Sequence, residues 1–234
     1  MEKKTIFFDL DDTLYDRSVP YCEAFLSFFG GKYAEKAQQA FERTMLRGYE
    51  VFVAAHTGQM TMEAMHIYRH QTGLRDVGIE ITPEQALELQ ARYAGAQRHI
   101  SLTPVMKEIL TVCRENFAAV GVITNGGVDS QRGKLESLGV ERWVRPELVF
   151  ISDALGVMKP DEAIFRLAQR AAGARAEDCI YVGDSISQDV TPALRCGWHS
   201  IWLCRRGGTA GDAETEIVVS SEEALLDCLR CMGG

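Results

Sequence analysis

Short runs of apolar residues recur along the chain, and polar or glycine-rich residues follow each of them. Their lengths and their β-branched or aromatic residues are typical of strands that are buried on both faces, as in a parallel sheet. The pattern therefore predicts strands at residues 6–8, 120–123, 148–151, 180–182, 200–203 and 217–219.

Helical patterns lie between the later apolar runs. Apolar residues recur at helical spacing ahead of residues 120–123. Pro160 is expected to begin a helix that ends at Gly173, since proline is favoured in the first turn and glycine after the last. Ser220 and Glu223 form a capping-box pattern, which predicts a final helix. Strands that alternate with helices predict an α/β protein with a parallel sheet and crossover helices.

The first predicted strand is followed by a long stretch without any strand-like run. Helix-favouring segments fill it instead, and Thr82-Pro83-Glu84-Gln85 is a good helix start. These segments lie near residues 20–29, 33–54, 61–72 and 83–97, and they are separated by Gly30-Gly31, Gly58 and residues 73–82. We therefore expect a helical cap domain at residues 17–98, inserted into a sheet domain formed by residues 1–16 and 99–234.

Composition and charge exclude several classes of protein. With 46% hydrophobic and 25% charged residues, the 234-residue chain is globular rather than disordered. Its net charge of −8 argues against a partner of duplex nucleic acid, which needs clustered positive charge. No apolar stretch approaches the ~20 residues of a membrane span, and the N-terminus lacks a signal-peptide core. Seven cysteines, an odd number, do not suit a disulfide framework, so we expect a reduced, cytoplasmic protein without a membrane partner.

Three acidic residues, Asp9, Asp11 and Asp12, follow the first predicted strand. The carboxyl ends of strands are where open parallel sheets bind ligands. Grouped carboxylates repel one another, and a hard cation such as Mg²⁺ usually offsets that repulsion. Alone, an Asp-x-Asp pair more often belongs to a solvated turn or a helix cap. Whether it is part of a ligand site therefore depends on the residues that follow the other strands.

Polar groups also follow three later strands. A hydroxyl and a run of backbone N–H groups suit phosphate oxygens, and a lysine ammonium can neutralise an anion. The residues are Thr124, Asn125 and Gly126 after the second strand, Lys159 after the third, and Asp184 with Asp189 after the fourth. Each group alone also fits a turn or an exposed charge, but four such groups in order at strand ends favour one ligand site.

With these four groups, the chain resembles the haloacid dehalogenase (HAD) superfamily, whose four motifs they match in order. The resemblance spans about residues 5–204 and implies a Rossmann-like core with a helical cap between the first two motifs. It also implies that Asp9 is a nucleophile that forms an aspartyl-phosphate. Asp11 would protonate the leaving oxygen and then deprotonate the hydrolytic water.

The resemblance further implies a Mg²⁺ cofactor and roles for the remaining motif residues. Mg²⁺ would be held by the Asp9 carboxylate, the Asp11 backbone carbonyl and Asp184. Phosphoryl oxygens would be held by Thr124, by the Asn125 and Gly126 amides and by Lys159. Asp189 would orient Lys159 or a metal-bound water. Metal and lysine together would neutralise a phosphoryl group that Asp9 alone would repel.

The expected activity is that of a magnesium-dependent phosphatase that acts on a small phosphorylated metabolite. Asp11 argues against a dehalogenase, because halide leaves without a proton. A nucleoside 5'-monophosphatase is the nearest alternative, since a cap of this size could enclose a base and ribose. A phosphosugar mutase shares the four motifs, whereas a non-catalytic phosphate binder would be expected to lose Asp9, Asp11 or Lys159. The sequence leaves the oligomeric state open.

Other patterns carry less weight. His66 and His70 lie one helical turn apart but have no evident third zinc ligand, so helix packing is favoured. Cys228 and Cys231 have redox spacing but no second pair, which also favours packing. Residues 127–134 come close to a Walker A loop with the wrong spacing, and we discard that motif. Within the cap, the candidates for contact with a leaving group are Arg47, Tyr49, Phe52 and His56, and Arg17, close after the first motif, is a candidate for a hinge or entrance contact.

Overall fold

The computed structural model describes residues 3–207 and 217–233, which divide into two compact units. An α/β unit contains the described residues of 1–16 and 101–234, and a helical unit contains residues 17–100. Among the described residues, none of the helices combines the length and apolar character needed to cross a membrane.

Regular elements follow one another closely along the chain. The strands are β1 (Thr5–Phe8), β2 (Ala119–Thr124), β3 (Val149–Ile151), β4 (Cys179–Gly183), β5 (His199–Leu203) and β6 (Ile217–Val219). The α-helices are α1 (Ser18–Phe29), α2 (Ala37–His56), α3 (Met62–Arg75), α4 (Pro83–Ala96), α5 (Pro104–Asn116), α6 (Val128–Leu138), α7 (Ser152–Leu155), α8 (Glu162–Ala172), α9 (Thr191–Arg195) and α10 (Glu222–Gly233). A π-helical turn, Ile186–Val190, precedes α9. All of the predicted strands are present, with ends that shift by one residue or less.

The strands form one parallel sheet in the order β3–β2–β1–β4–β5–β6. β1 lies between β2 and β4, and Phe8 is opposite both Val122 and Val182. The chain places β2 and β3 on one side of β1 and then crosses to the other side for β4. Doubly wound sheets bind ligands at such a switch point, outside the carboxyl ends of the strands. The predicted α/β, Rossmann-like fold is confirmed.

Aromatic side chains fill one face of the sheet, where it packs against α8 and α9. Phe7 is fully buried and stacks on Trp198 with ring centroids 5.2 Å apart. Gly121, the β2 partner of Phe7, makes room for it, because a Cβ there would overlap the Phe7 ring. Burying a Phe side chain is worth roughly 1.5–3 kcal/mol, so this face anchors the strands whose ends carry the polar groups.

Two predicted helix starts are wrong by one or two residues. Pro160 precedes α8 rather than beginning it, because the Asp161 carboxylate caps the helix by accepting from the Ala163 N–H at 2.9 Å. The side chain that caps the N-terminus of α10 is that of Ser221 and not that of Ser220. The Ser221 Oγ accepts from the Ala224 N–H at 3.2 Å. The predicted end of α8 at Gly173 is confirmed, since this residue adopts a left-handed conformation with φ of 65°.

The helical unit contains α1 to α4, close to the predicted segments. The capping box at Thr82 and Gln85 is confirmed, with both reciprocal hydrogen bonds formed. α2 starts at Ala37 rather than near residue 33, because Tyr33 is left-handed with φ of 65°. Gly73 was expected to end a helix but lies inside α3. Its missing side chain lets α3 approach α2, since a Cβ there would lie 2.6 Å from Thr44 Cα.

Polar side chains are buried in the middle of the helical unit. His70 is fully buried, its ring lies parallel to that of Tyr21 at 6.0 Å, and its Nε2 lies 3.0 Å from Gln90 Oε1. The Tyr21 hydroxyl is 2.9 Å from Thr44 Oγ1. Burial, followed by the nearby Arg69 charge, holds the pKa of His70 well below its usual 6.5. His70 is thus a neutral packed residue, as the sequence favoured over a zinc ligand.

Candidate active site

Three of the predicted acidic residues meet at the carboxyl ends of β1 and β4. Asp9 follows β1 directly, and its N–H donates to the Val182 carbonyl at 2.9 Å, which extends the β1–β4 ladder by one residue. Asp184 follows β4, and Asp189 lies in the π-helical turn. One carboxylate oxygen from each of the three residues lies within 4.8 Å of the other two. The switch point of the sheet thus carries a concentrated negative charge.

Gly183, the last residue of β4, allows Asp189 to come so close. A Cβ at Gly183 would lie 2.5 Å from Cβ, Cγ and Oδ2 of Asp189, a distance that real side chains do not adopt. Asp189 is almost completely buried, and its Oδ2 accepts from the Ser185 N–H at 3.0 Å. The glycine of the fourth motif is therefore a steric requirement for the position of this carboxylate.

Lys159 is the cation of this site. It is 3% exposed, and its Nζ lies 2.7 Å from Asp9 Oδ1 and 2.6 Å from Asp189 Oδ1. Burial by itself would lower the pKa of Lys159, but the carboxylates of Asp189 and Asp9 outweigh burial and hold it well above 10.5. The lysine therefore stays charged, and it is shared by two buried carboxylates.

The buried position of Asp9 also changes its own protonation. Burial raises the pKa of the Asp9 carboxyl from 3.8 to about 7, although the neighbouring Lys159 opposes the shift and Asp189 adds to it. A carboxylate that acts as a nucleophile must be ionised. An additional cation beside Asp9 would therefore favour the reactive form at neutral pH.

Tyr181 is a residue of this site that no sequence pattern predicted. Its hydroxyl accepts from Lys159 Nζ at 3.0 Å and donates to the Ile123 carbonyl at 2.8 Å. Tyr181 belongs to β4 and points to the same face as Phe7, so its ring is part of the core and only its hydroxyl reaches the site. It reads as a buried strand residue in the sequence, and no local pattern marks the function of its hydroxyl.

The second motif contacts the third through Asn125. Its side-chain amide donates to the Lys159 carbonyl at 2.8 Å and its Oδ1 accepts from the Lys159 N–H at 2.9 Å. This two-way bond fixes the backbone at Lys159. The Gly126 N–H, which was expected to contact a phosphoryl oxygen, donates to Ser152 Oγ at 3.0 Å in this structure. The buried Thr124 hydroxyl accepts from Gln131 Nε2 at 2.6 Å.

Asp11 lies in a separate set of contacts from Asp9. Its carboxylate accepts from Lys134 Nζ at 2.8 and 2.9 Å, from the Tyr15 hydroxyl at 2.5 Å and from Gln131 Nε2 at 3.0 Å. None of these three partners was predicted. Gln131 and Lys134 are spaced i, i+3 and lie on the buried side of α6, beside Leu135 and Leu138. A lysine among the apolar residues of a helix is the only local sequence signal that it has a buried partner.

Asp12, the third acid of the first motif, has a structural role. It is left-handed with φ of 61°, and its carboxylate accepts from Arg206 Nη2 at 2.8 Å. Arg205 donates to the backbone carbonyls of Asp12 and Thr13 at 3.1 and 2.7 Å. The residues after β5 therefore hold the turn that carries Asp9 and Asp11.

The residues of the helical unit that the sequence suggested for contact with a substrate have partners within that unit. Arg17 donates to the Tyr49 hydroxyl at 2.7 Å. Arg47 donates to Asp76 and Glu50 in an ion pair on the surface of the unit. The His56 Nδ1 lies 2.9 Å from the Phe52 carbonyl, and the two rings are tilted against each other at 3.9 Å.

The donor set at the switch point fits a hard divalent cation. Asp9, Asp184 and Asp189 offer carboxylate oxygens within one small volume, and such oxygens are the ligands that Mg²⁺ takes in proteins. Lys159 already occupies one oxygen of Asp9 and one of Asp189. The remaining Asp9 oxygen and Asp184 are therefore the better-placed carboxylate ligands.

Comparison with known proteins supplies the family. The haloacid dehalogenase-like hydrolase family model matches residues 3–197. A phosphoserine phosphatase from Thermus thermophilus is 29% identical over 226 residues, covering 86% of this chain and 89% of the relative. A glyceraldehyde 3-phosphate phosphatase from Methanopyrus kandleri is 28% identical over 213 residues, covering 87% and 84%. Pyrimidine 5'-nucleotidase YjjG from Escherichia coli is 28% identical over 234 residues, covering 97% of both chains.

Solved structures show the same fold. The HAD-hydrolase YfnB from Bacillus subtilis, bound to magnesium, has a TM-score of 0.74 at 21% identity and covers 98% of this chain and 99% of its own. An L-2-haloacid dehalogenase from Xanthobacter autotrophicus has a TM-score of 0.72 at 18% identity, with the same coverage. At these identities the similarity concerns the fold and not the reaction.

The fold and the polar groups at the strand ends define a hydrolase of the doubly wound α/β class. The chain belongs to the haloacid dehalogenase-like hydrolase family, which confirms the resemblance carried by the four motifs.

Proposed function

We propose that this protein is a magnesium-dependent phosphatase that hydrolyses a small phosphorylated metabolite through an aspartyl-phosphate on Asp9. The observation that carries the proposal is the Lys159 ammonium between the buried carboxylates of Asp9 and Asp189, next to Asp184. A nucleophilic carboxylate repels a phosphate dianion unless cations neutralise both, and this site provides one cation and the ligands for a second.

The predicted enzyme class, a phosphoric monoester hydrolase, is confirmed by the curated relatives, which are named as phosphatases and a nucleotidase. Magnesium is supported by the carboxylate group and by the magnesium-bound structure of YfnB. All seven cysteines are free thiols, which supports the proposed location in the reducing cytoplasm.

In the first step, a carboxylate oxygen of Asp9 attacks phosphorus. The bond from phosphorus to the leaving oxygen breaks, and that oxygen takes the electron pair together with a proton from Asp11. Lys159 and the Thr124 hydroxyl would hold the phosphoryl oxygens, as the second and third motifs imply. In the second step, Asp11 removes a proton from water as the water attacks phosphorus, and the Asp9 carboxylate leaves.

Mg²⁺ would be held by the Asp9 carboxylate, the Asp11 carbonyl and Asp184, where it supplies positive charge against the phosphoryl oxygens. Asp189 keeps Lys159 in place, since its buried Oδ1 is bonded to Nζ at 2.6 Å. Asn125 fixes the Lys159 backbone. The helical unit, residues 17–100, is proposed as the cap that selects the leaving group.

Replacement of the nucleophile tests the proposal. Asp9→Asn is expected to abolish Mg²⁺-dependent hydrolysis of p-nitrophenyl phosphate, whereas Asp227→Asn, which changes a mostly exposed acid of α10, should leave the rate unchanged. Removal of metal with a chelator should stop turnover, and added MgCl₂ should restore it. Full activity of the Asp9→Asn protein would exclude an aspartyl-phosphate at this residue.

A nucleoside 5'-monophosphatase is the second candidate. It is favoured by YjjG, a pyrimidine 5'-nucleotidase that aligns with 97% of this chain and 97% of its own length. Phosphate release should be compared for pyrimidine nucleoside monophosphates, phosphoserine, glyceraldehyde 3-phosphate and sugar phosphates with Mg²⁺ present. A kcat/KM for nucleotides at least tenfold above the other substrates would assign the nucleotidase.

A further inference from the structure

Two side chains on one face of α6 reach the Asp11 carboxylate. Lys134 Nζ lies 2.8 Å from Asp11 Oδ1 and 2.9 Å from Oδ2, and Gln131 Nε2 lies 3.0 Å from Oδ2. The two residues are spaced i, i+3, so their side chains leave the helix in the same direction. Asp11 is thus held by a helix more than a hundred residues away in the sequence.

The burial of Lys134 indicates that this contact is specific. Lys134 is 7% exposed, and a lysine at that depth requires a partner that offsets the cost of removing its charge from water. Asp11 is the acid with which Lys134 forms its ion pair, with side chains 9% and 18% exposed. A surface lysine would gain little from such a pair.

Gln131 connects Asp11 to the second motif. The same Nε2 that contacts Asp11 also lies 2.6 Å from Thr124 Oγ1 and 3.1 Å from the Asn125 carbonyl. Because Gln131 donates to Thr124 Oγ1, the hydroxyl hydrogen of Thr124 must point elsewhere and can be donated to a substrate oxygen. Gln131 is 1% exposed, so solvent does not compete for these bonds.

The backbone of the second motif leaves space for this glutamine. Gly126 has a φ of 143°, and a Cβ at this position would lie 3.0 Å from Cδ and 3.2 Å from Cγ of Gln131. The glycine that follows Thr124 and Asn125 therefore permits the approach of Gln131.

We infer that Gln131 and Lys134 are positioning residues, which fix the Asp11 carboxylate and the Thr124 hydroxyl relative to each other for both proton transfers. This inference rests on the proposed function, because it requires Asp11 to give a proton to the leaving oxygen and to take one from water. Tyr15, bonded to Asp11 at 2.5 Å, completes the same set of contacts. Without the two side chains of α6, the orientation of the Asp11 carboxylate would not be fixed.

Two aryl phosphates separate proton transfer from the rest of catalysis. The leaving group of 2,4-dinitrophenyl phosphate departs as a stable anion, whereas that of phenyl phosphate needs a proton. Lys134→Met and Gln131→Met are expected to lower kcat/KM for phenyl phosphate by about 100-fold, the lower range for general acid–base catalysis. The loss for 2,4-dinitrophenyl phosphate should be a few-fold. Lys107→Met, at an exposed lysine of α5, is the matched control and should change neither value.

The second proton transfer gives an independent signal. Formation of the aspartyl-phosphate from 2,4-dinitrophenyl phosphate does not need a proton from Asp11. Hydrolysis of the aspartyl-phosphate does need Asp11 as a base, so this second step should become rate-limiting in both variants. We expect a burst of dinitrophenolate equal to the enzyme concentration, followed by slow turnover. Lys134→Arg, which retains the cation, should restore part of the phenyl phosphate activity.

Equal losses for the two substrates in both variants, without a burst, would overturn the inference, and so would unchanged rates for both. Either result leaves the proposed function intact as long as the wild-type protein hydrolyses the substrates and Asp9→Asn does not. If the wild-type protein releases no phosphate from any substrate, the proposed function fails first. A folded Gln131→Met protein keeps the test valid should Lys134→Met fail to fold.

Discussion

The ammonium of Lys159 lies 2.7 Å from Oδ1 of Asp9, although 150 positions separate the two residues in the sequence. The same ammonium is 2.6 Å from Asp189 Oδ1, so one buried cation serves two buried carboxylates. Neither carboxylate has a second lysine or arginine among the ion pairs that the structure describes. Lys159 is therefore both a candidate contact for a phosphoryl group and the cation that offsets the cost of burying these two carboxylates.

Lys159→Met tests this dual role. The substitution leaves Asp9 and Asp189 buried without their cation, and removal of one partner from a buried ion pair costs about 3–5 kcal/mol. We expect the free energy of unfolding, measured by urea titration, to fall by that amount in metal-free buffer, together with loss of phosphatase activity. Lys107→Met provides the exposed control. A stability equal to that of the wild-type protein would show that the pair is not needed for folding.

The stabilisation by Mg²⁺ should depend on pH. Asp9 has a folded-state pKa raised to about 7 and an ordinary value of 3.8, so the folded protein binds this proton more tightly than the unfolded chain. Without metal, the contribution of Asp9 to stability is present below pH 3.8 and is lost as the pH rises through 7. The ionised form is then available to a cation. MgCl₂ should therefore raise Tm more at pH 8 than at pH 5.5.

The Asp9→Asn protein supplies the control for this experiment, because it removes the titrating group and keeps the size of the side chain. Its shift in Tm with MgCl₂ should be small and similar at the two pH values. A wild-type shift that is the same at pH 5.5 and pH 8 would contradict the assignment of Asp9 as the pH-dependent ligand.

Gly183→Ala should displace Asp189. The added Cβ would lie 2.5 Å from three atoms of that residue, and forced overpacking costs about 1–3 kcal/mol. Because Asp189 holds Lys159, we expect both kcat for an aryl phosphate and the free energy of unfolding to decrease. Gly133→Ala is the matched control, since Gly133 lies within α6 and its Cβ would meet nothing within 4 Å. It should gain up to about 1 kcal/mol from helix propensity. Similar behaviour of the two variants would contradict the steric role of Gly183.

His70 should make the helical unit sensitive to acid. Burial lowers its folded-state pKa well below 6.5, so the unfolded chain takes up a proton that the folded protein rejects. The contribution of His70 to stability should fall as the pH drops below 6.5, by at most about 1.4 kcal/mol per pH unit for this single proton. Partly buried His66 acts in the same direction and Asp9 in the opposite direction. The difference in unfolding free energy between the wild-type protein and His70→Gln, measured by urea titration, should therefore become less favourable to the wild type as the pH drops from 6.5 to 5. A difference that is the same at both pH values would mean that His70 does not contribute to the acid sensitivity.

Strand positions could be predicted because both faces of a parallel sheet are buried, so each strand is a continuous apolar run. Helix ends are harder to predict, since several neighbouring residues can cap the same helix. Asp161 caps α8 instead of Pro160 beginning it, and Ser221 acts instead of Ser220. Gly73 shows a second reason why helix ends are hard to predict. A glycine that lets two helices pack closely has the same local sequence pattern as a glycine that ends a helix.

The sequence by itself determined the α/β class, the family and the list of motif residues, because strands and motifs are local patterns and a parallel sheet brings strand ends to one edge. The tertiary structure decided which side chains support them. Tyr181 and Gln131 carry no local mark of function, and Lys134 is marked only as a lysine within an apolar stripe, since each acts through a residue far away in the chain. Their roles arise from packing that no single segment encodes.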